Sequence, residues 1–391
     1  MPLKQLEETE KLDYPETDQI EPEHARLLFL EHCALLVVED LPVGSEFGID
    51  LMVHRTGHKF KGVKLIPPGL HFIYASAIDR SGQNSGPRCG FFHEFKPREL
   101  LVKRWSVAEE DFEETYSPTE EHRQRYSANL RNLDSHLAAY SFSTYRTHLS
   151  LTDKLTQDVV QALMPDCKRI RSVPFLVHDS GTLTSQGRIR TNAQFNEANL
   201  LPHLKPDQTT VIHFTKIPAQ HTESNEPISH QLITQYNLDT TMKLEHTFNG
   251  FGGRQRLLAE FQFAFVTFLL CHVYECFEHW KKLLSLVCTA ERGLIEYPEF
   301  YRDFIIALEH QLDHVPSDLF EDIVDSNNLI RCLLNTLFQN IDDCPAETSG
   351  NLIEELKQSA NKLRRHIESQ FHWQFTGVDE EEEDQPVVVE L

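Results

Sequence analysis

Residues 253–291 read GRQRLLAEFQFAFVTFLLCHVYECFEHWKKLLSLVCTAE, and this stretch decides the fold class of the C-terminal half. Apolar side chains recur at Leu257/Leu258, Phe261, Phe265, Phe268/Leu269, Val273, Cys276/Phe277, Trp280, Leu283/Leu284 and Val287, the i, i+3, i+4, i+7 spacing of an amphipathic helix. A single helix of this length would run roughly 55–60 Å at 1.5 Å per residue, too long for one modest domain. The spacing therefore predicts a break near Cys271 and His272 and two antiparallel helices packed face to face. Phe261, Phe265, Phe268, Phe277, Trp280 and Leu284 are the expected core.

Downstream, YPEFYRDFIIALEHQL (297–312), PSDLFEDIV (316–324), NNLIRCLLNTLFQNI (327–341) and TSGNLIEELKQSANKLRRHIESQFHW (348–373) are each amphipathic. Each opens with Pro, Ser, Asp, Asn or Thr, residues that start helices. Upstream the texture changes. ALLVVEDL (34–41), SEFGIDLMV (45–53), LHFIYASAI (70–78), GFFHEF (90–95) and ELLVKRW (99–105) are short β-type runs. They are punctuated by Pro42 and Gly44, Gly57, Gly62, Pro67-Pro68-Gly69 and the SGQNSGPRCG loop at 81–90. Such spacing makes a sandwich or barrel. The expected fold is therefore α+β in two domains, a β-rich sandwich or barrel-like one followed by an all-α one.

The expected boundaries are a disordered N-terminus at 1–20, a β-rich domain with flanking helices at 21–164, and a linker with short elements at 165–250. A helical domain at 251–375 and an acidic tail at 376–391 complete the chain. A short helix is expected after Pro22, with Leu27, Leu28 and Leu30 to bury. Within the β-rich domain, residues 117–140 predict a helix opened by Ser117 and Glu120, and residues 150–163 a second, capped by Ser150 and stopped by Pro165. In the linker TTVIHFTKI (209–217) is strand-like and DTTMKLEHTF (239–248) suits a short helix.

The chain has 391 residues, 40% of them hydrophobic, enough for two or three domains with real cores. Sixty acidic residues against 37 basic ones give a net charge of −23, which argues against nucleic acid or an anionic membrane as the main ligand. The start of the chain is polar and acidic, and no run of 18 uncharged apolar residues occurs, so a soluble, unsecreted protein is expected. Eight cysteines at 33, 89, 167, 271, 276, 288, 332 and 344 form no C-x-x-C pair, which suits the reducing cytosol or nucleus.

Chemistry-bearing patterns are few. His272, Cys276 and His279 stand at i, i+4 and i+7 and so share a helix face, metal-ligand spacing if a fourth ligand comes from elsewhere, and are the best residues for a metal-dependent enzyme. That face is also the apolar one, where core packing explains the same letters. There are 21 histidines but no H-E-x-x-H and no paired Cys/His array. NGFGGR (249–254) precedes a helix without a clear strand before it or a G-K-[ST] after it, so it reads as a hinge. No G-x-S-x-G is present. Arg55, Lys59, Lys61 and Lys64 form a small basic patch, either an RNA contact or a solvated strand edge. No cofactor is expected. The tail carries six consecutive acidic residues, Asp379 to Asp384, and then Pro386, Val387, Val388, Val389, Glu390 and Leu391. Charge keeps that end extended, and exposed β-formers suit addition to another protein's sheet edge.

GSEFGIDL (44–51), FKGVKLIPPGLHFIY (60–74), GFF (90–92), EFQFAFVTFLL (260–270), VYECFEHWKKLL (273–284) and terminal PVVVEL (386–391) together resemble the A1-alpha2 repression (AAR-two) splicing factor family. The resemblance covers nearly the whole chain and is weakest in 165–250. It implies a β-rich N-terminal domain, a linker and a helical C-terminal domain. It also implies a non-enzymatic assembly factor of the U5 small nuclear ribonucleoprotein, present in cytoplasm and nucleus. Its partner would be the large pre-mRNA-processing-splicing factor eight, with the tail held as a strand between that scaffold's RNase H-like and Jab/MPN-like domains. While bound, such a factor blocks docking of the U5 RNA helicase. Here Pro386, Val387, Val388, Val389, Glu390 and Leu391 match the tail segment, behind a long acidic run.

Overall fold

The structure is a computed structural model that describes residues 32–78, 85–174, 176–178, 204–218, 240–315, 329–344, 351–373 and 375. The expected disordered start, the helix after Pro22, the helix at 316–324, the two loop segments HDSGTLTSQGRIRTNAQFNEAN and PAQHTESNEP in the main, and the tail strand lie outside the described residues. The chain is α+β, with a sheet-rich N-terminal part and a helical C-terminal part. It divides into two compact units, one of residues 1–214 with 266–276 and one of 215–265 with 277–391.

In the first unit one five-stranded sheet is built from β1 (Ala34–Glu39), β4 (Gly62–Ile66), β7 (Leu100–Ser106), β8 (Asp111–Phe112) and β9 (Leu137–Ala139), in the order β8-β7-β1-β4-β9. A second joins β2 (Glu46–Ile49), β3 (Met52–Arg55), β5 (Gly69–Ile78), β6 (Ser85–Phe95) and β10 (Ile170–Arg171), in the order β10-β6-β5-β2-β3. The second is antiparallel throughout, whereas in the first β1 runs parallel to β7 and β4 parallel to β9. Alternate residues from both sheets enter one core: Ala34, Leu36 and Val38 from β1, and Ile73, Ala75 and Ala77 from β5. That period of two is what the strand runs encode.

Strand β4 was not among the expected strands, because Gly62 and Pro67-Pro68-Gly69 read as turn residues on either side of a short run. Gly62 is needed for close approach: at φ +144° an added Cβ would lie 1.9 Å from the Leu36 carbonyl oxygen. Strand β6 begins at Ser85, inside the loop expected at 81–90. The single helix expected over 117–140 is instead α1 (Glu120–Ala128), one further helical turn at 130–133, and β9. Its cap is Thr119, which accepts from the His122 amide, and not Ser117. The helix expected at 150–163 is two: α2 (Phe142–Thr152) and α3 (Gln157–Leu163), the second capped by Thr156. Ser150 lies inside α2 and donates to the Arg146 carbonyl. The TTVIHFTKI run forms no ladder, only a 3-10 turn at Gln208–Thr210 followed by extended chain. A two-stranded sheet pairs β11 (Leu176–His178) with β12 (Leu204–Pro206).

The helical part comprises α4 (Thr241–Phe251), α5 (Arg254–Cys271), α6 (Tyr274–Cys288), α7 (Pro298–Leu312), α8 (Leu329–Asp342) and α9 (Asn351–Phe371). The expected break falls where the pattern placed it, between Cys271 and Tyr274, and His272 turns the chain at φ +58°. NGFGGR is a hinge: α4 ends at Phe251, and Gly252 at φ +79° caps it in the left-handed conformation. In the helical unit Phe261 stacks on Trp280 at 5.6 Å and meets Phe304 at 5.2 Å, while Phe265 meets Trp280 at 5.8 Å. Phe261, Phe265, Trp280 and Leu284 are fully buried, while Phe268 and Phe277 are only partly so. Helix α9 covers α7 and α8 with Ile353, Leu356, Leu363 and Ile367, one face at helical spacing. No helix among the described residues is long and apolar enough to cross a membrane.

Candidate functional site

The densest group of chemistry-bearing side chains is buried inside the sheet unit. Asp50 sits in the two-residue turn between β2 and β3, at φ +52°, a conformation that Asp tolerates better than most residues. Its amide donates to the Phe72 carbonyl at 2.8 Å, and the Phe72 amide donates back to Asp50 Oδ1 at 2.9 Å. His71, beside Phe72 on β5, places Nδ1 2.6 Å from Asp50 Oδ2 and Nε2 2.8 Å from the Pro67 carbonyl. His148, from α2, places Nδ1 3.4 Å from Asp50 Oδ1 and Nε2 2.8 Å from the Leu70 carbonyl. Tyr140, between β9 and α2, donates its hydroxyl to Asp50 Oδ2 at 2.7 Å. Asp50 and His71 are wholly inaccessible and His148 is 2% exposed.

Burial works against the charge of Asp50, but His148, His71 and the Phe72 amide outweigh it and hold the carboxyl down at about 2. Burial lowers His148, with Asp50 pulling the other way, and pushes the Tyr140 phenol well above its ordinary range, reinforced by Asp50. Carbonyls only accept, so Nε2 of both imidazoles carries hydrogen. Asp50, His71 and His148 are the group among the described residues whose nitrogen and oxygen donors, all within 4.8 Å of one another, could hold a metal. Sequence reading missed them because they lie on a turn, a strand and a helix far apart in the chain. The one local signal was a histidine inside the apolar run LHFIY.

The metal triplet expected from spacing does not form on one helix face, because the helix it requires ends at Cys271 and a new one starts at Tyr274. His272 lies in the break, exposed, with Nε2 accepting from Arg88 Nη1 at 3.0 Å, and burial and the Arg88 charge lower its pKa. Cys276 is buried, and burial pushes its thiol well above the ordinary range. His279 pairs through Nε2 with the buried Glu260 carboxylate at 2.7 Å. Glu260 also accepts from the Thr215 amide at 2.9 Å and hydroxyl at 2.8 Å, so these polar groups act as a strut within the helical unit. In the sheet unit Arg88 is the corresponding strut. It donates to the Leu270 carbonyl at 2.8 Å, pairs with Glu46 at 2.6 Å and lies 5.0 Å over the Tyr74 ring.

The basic patch is only partly assembled. Arg55 ends β3, which is the edge strand of its sheet among the described residues, and Lys59 and Lys61 are exposed in the following loop. Lys64 instead points to Asp134, bonding its carboxylate at 2.6 Å and its carbonyl at 3.1 Å. Pro386, Val387, Val388, Val389, Glu390 and Leu391 lie outside the described residues.

Comparison with known proteins adds a whole-chain correspondence. A family model described as the AAR2 N-terminal domain matches residues 32–165, and one described as the AAR2 C-terminal repeat region matches 214–376. The chain is 35% identical over 387 residues to the Protein AAR2 homolog of Mus musculus, covering 95% of this chain and 97% of that one. It is 35% identical over 386 residues to the Homo sapiens counterpart, with the same coverage. Against the Caenorhabditis elegans counterpart it is 34% identical over 360 residues, 88% of this chain and 94% of the relative.

Proposed function

The chain belongs to the AAR2 family, and from that premise we propose that it is a non-enzymatic assembly factor of the U5 small nuclear ribonucleoprotein. In this reading it binds the large pre-mRNA-processing-splicing factor eight and keeps the U5 RNA helicase from docking early, acting as a monomer in cytoplasm and nucleus. The observation that carries the proposal is that the correspondence runs through both the sheet-rich and the helical parts at about one third identity. A role inherited with only one part would not need the other.

The docking element is proposed to be Pro386 to Leu391, adding a strand between the RNase H-like and Jab/MPN-like domains of the scaffold. Main-chain bonds along a sheet edge give affinity without demanding particular side chains, and the acidic run steers the tail toward a basic surface. The test is binding of the full chain, and of a chain ending at Asp384, to those two scaffold domains. Val388→Pro, which removes a backbone donor, should weaken binding more than Val388→Thr. Equal affinity for all of these would place the interface off the tail, and failure of the full chain to bind either domain would overturn the proposal.

A further inference from the structure

We propose that Asp50, His71, His148 and Tyr140 form a closed structural site for one divalent transition metal, for which zinc is the best match. The donors are two imidazole nitrogens, a carboxylate oxygen and a phenol oxygen, a set that suits zinc in tetrahedral coordination. Histidines that hold metals donate their second N–H to a carbonyl or carboxylate, which fixes the ring. Here both rings do so: His71 Nε2 is 2.8 Å from the Pro67 carbonyl and His148 Nε2 is 2.8 Å from the Leu70 carbonyl. Each Nδ1 is thereby left facing the same carboxylate, and the Phe72 amide at 2.9 Å orients that carboxylate from behind.

Distance and charge both point the same way. Metal bonds of about 2.0–2.2 Å in a tetrahedron separate neighbouring donors by roughly 3.3–3.5 Å. Asp50 Oδ1 and His148 Nδ1 already stand 3.4 Å apart. The other carboxylate oxygen, Oδ2, is closer to His71 Nδ1, at 2.6 Å, and to the Tyr140 oxygen, at 2.7 Å, so the carboxylate must turn to offer one oxygen to the metal and these two gaps must open by under about 1 Å. With hydrogen on Nε2, the lone pair of His148 Nδ1 and those of Asp50 Oδ1 face each other at 3.4 Å, and a cation between the donors removes that conflict. Zinc, the Asp50 carboxylate, a Tyr140 phenolate and two neutral imidazoles sum to zero charge, which a wholly buried site favours. Binding would release to solvent the Tyr140 phenol proton and the proton between Asp50 and His71.

Four protein donors leave no open position, so the metal would tie the β2–β3 turn, β5, α2 and the segment before α2 together and would perform no reaction. The site is independent of the binding role proposed above.

The experiment uses the full chain without a histidine tag, incubated with zinc sulfate, desalted and analysed for metal content. About one equivalent of zinc per chain is expected in the wild type and near zero in H148Q, with the far-ultraviolet circular dichroism of the two alike. Cobalt(II) in place of zinc should give the visible absorption of tetrahedral coordination, and that spectrum should change in Tyr140→Phe. If H148Q does not fold, the wild-type cobalt spectrum decides alone. A wild type that retains no metal, equal zinc in wild type and H148Q, or cobalt with only octahedral absorption would each overturn the assignment.

Discussion

The helical unit and the sheet unit solve the problem of specifying one structure differently. Around Trp280 the helical unit relies on area: Phe261, Phe265 and Phe277 surround the indole at 5.6–5.9 Å, and one directional bond, indole Nε1–H to Gln311 Oε1 at 2.8 Å, fixes its orientation. Around Asp50 the sheet unit relies on direction, with partners from β5, from α2 and from Tyr140 converging on one carboxylate. Apolar contact tolerates substitution by another apolar group of similar volume, whereas a buried bond network tolerates almost no change of element or angle. The same contrast should therefore appear in mutational cost.

The largest expected effect tests the area side. Trp280→Ala should cost about 3–5 kcal/mol, from lost burial and the cavity left behind, and it also leaves Gln311 Oε1 without its donor. Trp280→Phe should recover most of that loss, because area matters more than the single bond. Urea unfolding of the two variants checks this, and a Phe variant as damaged as the Ala variant would mean the bond dominates and the contrast fails.

Next comes Tyr140→Phe, which keeps the ring and deletes the oxygen. A hydrogen bond to a charged group contributes about 1.5–3 kcal/mol, so the deletion should cost about that much despite the near-unchanged volume. The measurement belongs in excess chelator, where only the hydrogen bond is read. A cost within error of zero would show that the Asp50 cluster is packed and not bonded.

The legibility of the two units follows from the same physics. Helix periodicity is local, so residues 253–291 revealed the paired helices, their break and most of their core. The β-runs likewise revealed strands β1, β5 and β7. What stayed hidden depends on chain segments meeting from far apart. Strand β4 needed Gly62 packed against β1, the helix expected over 117–140 lost its second half to pairing of β9 with β4, and Asp50, His71 and His148 share no spacing at all. The His272, Cys276 and His279 triplet failed for the converse reason: its spacing assumed a helix that stops one residue short of it.

A smaller effect is expected at Glu39, which solvent partly reaches. Burial opposes its charge, but bonds from Tyr116, Tyr126 and Arg104 and the charge of His122 outweigh that and hold the carboxyl below its ordinary value. A lowered folded pKa contributes stability that is present above the ordinary carboxylate range and is lost as pH falls through the folded value. Stability against pH should therefore decline less steeply on the acid side in Glu39→Gln than in the wild type. Parallel curves would mean that Glu39 titrates alike in folded and unfolded chains.

The smallest expected difference is at His272, where the sheet unit holds the end of α5. The residue sits at φ +58°, a left-handed conformation that costs a non-glycine residue roughly 1 kcal/mol, and helices more often end this way on glycine. Its amide still donates to the Phe268 carbonyl at 2.9 Å, so the turn is a proper helix end, and its ring accepts from Arg88 at 3.0 Å. Ala and Gly variants both lose the ring bond, worth about 0.5–1.5 kcal/mol at most in this exposed setting. They differ only in strain and in the entropy of the unfolded chain. In a helix interior Ala would be the more stable by up to about 1 kcal/mol. Here the order should invert, with His272→Gly more stable than His272→Ala by about 0.5–1 kcal/mol and close to the wild type. Chemical denaturation resolves a gap of that size when the two variants share one slope. If Ala proves the more stable, the backbone is not strained at this position, and the break between α5 and α6 must be held open by Arg88 and the packing of Val273 alone.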